Sequence, residues 1–181
     1  AILRSGAKAG DLIFVTGKLG GAAAGLRLLE SGFRFDSEKG SRKKFIRKQL
    51  APNPQVEIGL KLSEKKLATA MLDLSDGLSS DLAHLCRASK VGARLVAEKI
   101  PFETNLKQVL KQNEDVISLA LNGGEDFELL FTARPKDKNK LATLFGEKIT
   151  YIGQITNDVE KIELARNSKT TLLEPRGFRH F

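Results

Sequence analysis

Short apolar runs of strand character alternate with helical patterns along this chain, and that alternation restricts it to few architectures. "DLIFVTG" (11–17), "ATAMLDL" (68–74), "ARLVAE" (93–98), "FELLFTA" (127–133) and "KITYIGQI" (148–155) read as strands. "KIELARN" (161–167) reads as a further strand, pairing as an antiparallel neighbour. Between them fall helical patterns at 19–30, 41–50, 55–65, 75–88, 105–112 and 136–145, with Pro52 and Pro54 stopping the second. The prediction is an α/β layered domain with a mixed sheet. At 181 residues the chain is long enough to bury a sizeable core as one domain.

The first candidate site is "LDLSDGLSSDL" (72–82), which follows a core strand and opens a helix. Asp73 falls at the strand end, Ser75 where the helix would begin and Asp76 in its first turn. Two readings stand side by side. A helix N-terminus carries unpaired N–H groups and a partial positive charge, so Ser75 can be a cap and Asp76 a dipole-matched acid. Alternatively, Asp73 and Asp76 converge on one Mg²⁺, a hard ion usually held by one or two carboxylates plus substrate phosphates. Ser75 then bonds a phosphate oxygen. Asp81, further along the helix, reads as structural and paired with a cation.

"LNGGEDFELLF" (121–131) has the same logic. Gly123 and Gly124 permit unusual backbone, and Glu125 and Asp126 precede a buried strand. The plain alternative is a turn with solvated acids. "TGKLGG" (16–21) fails the P-loop spacing and reads as a glycine turn with tight helix packing. His84 and His180 have no Ser or Cys partner for a triad, and no Cys/His cluster supports zinc.

The net charge is +8, and residues 1–50 carry +7 of it, centred on "SRKKFIRKQL" (41–50). As a helix, this segment turns Phe45, Ile46 and Leu50 inward and its cations out, which reads as a solvated face. A nucleic-acid module is the rival, but Phe45 is the sole aromatic within 41–50, and stacking platforms need several. No apolar run approaches the ~20 residues that span a bilayer. The single cysteine, Cys86, falls on the apolar helix face and fits a reducing cytoplasm. The opening lacks the apolar stretch of a signal peptide, and Ala1 at position 1 reads as the start of a fragment.

"RSGAKAGDLIFVTGKLGGAAAGL", "MLDLSDGLSSDLAHL", "NGGEDFELLFT", "YIGQI" and "GFRHF", in that order, resemble thiamine-monophosphate kinase from Arg4 to Phe181. That family shares a superfamily with aminoimidazole ribonucleotide synthetase, selenophosphate synthetase and a hydrogenase-maturation protein. The resemblance implies that residues 1–181 are the C-terminal α/β domain alone. An N-terminal domain carrying most Mg²⁺ ligands and the homodimer interface would lie outside the chain, leaving the fragment inactive by itself. It implies ATP as co-substrate and thiamine monophosphate as acceptor. By motif, Arg4 and Ser75 contact ATP, Asp73 and Asp76 bind Mg²⁺, and Glu125 and Phe178 contact the thiamine substrate. No general base is implied, since a phosphate nucleophile is already ionised at pH 7. Another enzyme of the same superfamily is the alternative.

Overall fold

The computed structural model describes residues 1–110 and 114–176. Strand β1 (Leu12–Thr16) is buried along its whole length. Its side chains divide by the period of two: Ile13 and Val15 enter one apolar cluster, Leu12 and Phe14 the other. This two-sided burial explains a continuous apolar run rather than an alternating one. β1 lies within a seven-stranded sheet with β2 (Ala70–Asp73), β3 (Gly92–Val96), β4 (Leu129–Ala133), β5 (Ile149–Thr156), β6 (Ile162–Arg166) and β7 (Lys169–Leu172). The order is β2-β4-β1-β5-β3-β6-β7; β3 and β6 run parallel and the other neighbours antiparallel. The mixed α/β architecture is therefore as expected.

Helices α1 (Gly21–Glu30) and α2 (Gly40–Leu50) pack on each other, burying Ala24, Leu28, Phe45 and Ile46. α3 (Val56–Glu64) and α6 (Lys138–Phe145) cover one sheet face through Ile58, Leu62, Leu141 and Phe145. α4 (Leu78–Ser89) and α5 (Val116–Asn122) cover the other through Leu78, Leu82, Leu85, Ile117 and Leu121. Among the described residues, no helix is long and apolar enough to cross a membrane.

Two expectations need correction, and one helix is unexpected. The helix expected over 105–112 is a 3-10 turn at Leu106–Val109, and residues 111–112 lie outside the described residues. The helix of this region is instead α5, which buries Val116, Ile117, Leu119, Ala120 and Leu121 and has only Ser118 and Asn122 on its polar side. Seven residues with two polar positions are too short a stretch to display a clear 3.6-residue period. β6 joins the sheet, but parallel to β3; its antiparallel partner is β7.

Gly25 sets the α1–α2 approach. A Cβ at this position would stand 2.1 Å from the Phe45 carbonyl oxygen and 3.0 Å from Gln49 Cβ. Backbone cannot step aside as a flexible side chain can. Gly25→Ala is expected to destabilise the fold by about 2 kcal/mol through overpacking, despite alanine's better helix propensity. Thermal unfolding checks this, and an unchanged midpoint would mean the helices separate freely.

Candidate functional site

β2 and β4 pair with Asp73 opposite Leu129, so the turn leaving β2 and the turn entering β4 lie at one end of the sheet. Their backbones are joined. Glu125 N–H donates to the Ser75 carbonyl (2.8 Å), Phe127 N–H to that of Leu74 (2.9 Å), and Leu74 N–H to that of Glu128 (2.8 Å). The two acid-rich motifs are thus one structure, 50 residues apart in sequence. Gly77, at φ +103°, makes this possible: an added Cβ would sit 3.1–3.2 Å from the backbone of residues 121–123. Glu125 and Phe127 adopt φ of +64° and +50°, a conformation side-chain-bearing residues rarely hold.

Asp73 is exposed and Asp76 half-buried, and neither forms an ion pair among the described residues. The helix does not begin at Ser75: α4 starts at Leu78, so Ser75 and Asp76 precede it. The cap comes instead from Asp81, whose Oδ2 accepts the N–H groups of Asp76 (3.0 Å) and Gly77 (3.1 Å). Asp81 is structural, as expected, but through these N–H groups rather than a cation. Burial pushes its carboxyl up to about 6 against the opposing Asp76 N–H bond, and the carboxylates of Asp76 and Asp73 push it the same way. Among the described residues no group of three or more His, Cys, Asp or Glu side chains is placed to hold a metal. Asp73 and Asp76 offer two carboxylates on one turn, which suits an ion that completes its shell with water and phosphate.

Asp126 is not a solvated acid. It is buried, and its Oδ2 and Oδ1 accept the N–H groups of Gly20 (2.6 Å) and Ala22 (3.1 Å), capping α1 from across the chain. Burial raises its carboxyl to about 6. The "TGKLGG" turn is the glycine turn expected, with Gly20 at φ +81°. Beneath α2 lie further groups that sequence reasoning missed. Glu128 accepts the Thr16 hydroxyl (2.7 Å), and Glu103 binds Lys44 (2.8 Å) and Lys48 (2.9 Å). Two lysines of the basic segment are therefore engaged internally, which weakens the nucleic-acid reading.

Glu125 is half-buried on the wall of a cavity of about 230 Å³, which Arg27, Gln49, Ser118, Asn122 and Gly124 also line. Gln49 Nε2 donates to Glu125 Oε2. Arg27 is committed to Glu114 by two bonds of 2.6 Å. Arg4 is exposed on the N-terminal segment along the outer edge of β2, where the Leu3 carbonyl accepts Met71 N–H (2.9 Å). The structure therefore unites Asp73, Ser75, Asp76 and Glu125 at one sheet end and leaves Arg4 at the neighbouring edge. Phe178 and His180 lie outside the described residues.

The family described as AIR synthase related protein, C-terminal domain, matches residues 8–164. A thiamine-monophosphate kinase of Buchnera aphidicola subsp. Schizaphis graminum (strain Sg) is 40% identical over 184 residues, covering 100% of this chain and 56% of the relative. A crystal structure of thiamine-monophosphate kinase from Stenotrophomonas maltophilia K279a superposes with a TM-score of 0.82 at 32% identity, over 93% of this chain and 54% of that one. AaThiL complexed with AMPPCP and TMP matches equally, TM-score 0.82 and 32% identity, over 99% of this chain and 54% of that one. The chain spans about half the length of the relatives it matches.

Proposed function

Because this chain belongs to the AIR synthase related protein C-terminal domain family, and its relatives there are thiamine-monophosphate kinases, we propose that it is the C-terminal domain of such a kinase. The reaction is ATP-dependent phosphorylation of thiamine monophosphate to thiamine diphosphate. One observation carries the reading: the backbone bonds joining Ser75 to Glu125 and Leu74 to Phe127, which make a metal-suited turn and a carboxylate-lined cavity parts of one site.

In this reading Asp73 and Asp76 hold Mg²⁺, and the ion supplies charge neutralisation on the transferring phosphates. Ser75 and Arg4 hold ATP, Arg4 offsetting phosphate charge. Glu125 faces the cationic end of the thiamine substrate, and Phe178 supplies an aromatic face for it. Phosphoryl transfer depends on positioning and electrostatics more than on covalent chemistry, so the absence of a general base from this assignment is no obstacle. The rest of the site comes from a preceding domain, through which the protein is a homodimer, and the setting is cytoplasmic. The buried Cys86, its thiol pushed up to about 12 by burial, suits that setting as an inert core residue.

Turnover of thiamine monophosphate and ATP by the full-length protein tests the proposal. Thiamine diphosphate should form, stop on chelation of Mg²⁺, and not form with this chain alone. A folded full-length protein that leaves thiamine monophosphate untouched would contradict it.

A further inference from the structure

The proposed reading assigns Glu125 but says nothing of what aims it, and Gln49 is the residue bonded to its side chain. α2 is pinned at this end: Phe45 and Ile46 are buried, and Lys44 and Lys48 are tied to Glu103. Lys48 Nζ also donates to the Lys18 carbonyl (3.1 Å). The Gln49 backbone is therefore fixed. On the other side, the left-handed backbone of Glu125 is anchored by its N–H to Ser75. Between these two fixed points, Gln49 Nε2 donates to Glu125 Oε2. The other carboxylate oxygen has no partner among the described residues.

The orientation of the amide is determined by its neighbour, because turning it over would set two oxygens against each other. Keeping it leaves Gln49 Oε1 buried without a hydrogen bond among the described residues. An unpartnered buried acceptor is unfavourable, and a half-buried side chain serving only to fill space could turn its amide to water. The bond to Glu125 is what retains this conformer. Arg27, on the same cavity wall, is held by Glu114 and does not compete for Glu125.

We propose that Gln49 is a positioning residue: it holds the Glu125 carboxylate by one oxygen, leaving the other for the cationic end of the thiamine substrate. The inference rests on the proposed function, so its test separates the two. In the full-length protein, Gln49→Met keeps the length and volume of the side chain but removes the donor. It should raise KM for thiamine monophosphate about tenfold, as expected for a lost bond to a charged group, while kcat and KM for ATP change less than twofold. Gln49→His, which restores an N–H donor, should recover most of the affinity. In a Glu125→Gln background, Gln49→Met should add nothing further.

Should Gln49→Met fail to fold, Gln49→Glu, of the same size, replaces the donor with a like charge and should raise KM for thiamine monophosphate at least as much. If Glu125→Gln raises KM but Gln49→Met does not, or if the two effects simply multiply, the positioning role is overturned and the Glu125 assignment survives. If Glu125→Gln leaves KM unchanged, both fall.

Discussion

Asp76→Asn in the full-length protein is expected to lower phosphoryl transfer about 100-fold while leaving the unfolding midpoint nearly unchanged. The magnitude is that of removing one preorganised charge-stabilising group from a transferring phosphate. The small effect on stability follows from the structure. Asp76 is half-buried, its carboxylate forms no ion pair among the described residues, and its N–H reaches Asp81 whatever the side chain. Asn keeps the size and removes the charge, which also relieves repulsion on the buried Asp81. Equal losses of rate and stability would reduce Asp76 to a structural element of the turn.

Asp126 should behave in the opposite way, with the largest cost in stability. Asp126→Ala strands the N–H groups of Gly20 and Ala22 at the buried start of α1. Each unsatisfied donor costs about 1–3 kcal/mol, so a loss of about 3 kcal/mol is expected, roughly 10 °C in the midpoint of a chain this long. The same residue shapes the pH profile. Its carboxyl is raised to about 6 in the fold from an unfolded value of 3.8. Between these values the folded state binds the proton more tightly, so stability falls as pH rises from about 4 to about 6. Two pKa units correspond to up to about 3 kcal/mol. Asp126→Asn should reduce that slope while retaining one acceptor for α1, the remainder coming from Asp81, which is raised into the same range, and urea unfolding across this pH range measures the change. An unaltered slope would place the titration elsewhere.

The two residues also mark what sequence makes legible. Asp73, Ser75 and Asp76 announce themselves because a strand, a glycine and several acids lie within a few positions of one another. β1 is legible because burial on both faces leaves an uninterrupted apolar run. Asp126 is visible as an acid, but its helix-capping role depends on residues more than 100 positions earlier. Gln49 gives no signal at all, since its partner stands 76 positions away and it sits in a basic segment between Lys48 and Leu50. α5 escapes for another reason: it is seven residues long with only Ser118 and Asn122 on its polar side, too short to display a helical period. Asp81 shows how a small boundary error changes a role. With the helix begun at Leu78 rather than Ser75, Asp81 lies in the first turn and reaches back to cap it. Local chemistry is written in the chain, whereas pairing across the fold is set by topology.

The most direct measurement is calorimetric titration of thiamine monophosphate into the full-length protein, with Mg²⁺ and AMPPCP present, for the wild type and Glu125→Ala. The structure places Glu125 on the cavity wall and bonds its turn to the Asp73–Asp76 turn. The account predicts binding by the wild type and its loss with Glu125→Ala, with the fold intact. Equal binding by both proteins would contradict the assignment of this sheet end as the thiamine site.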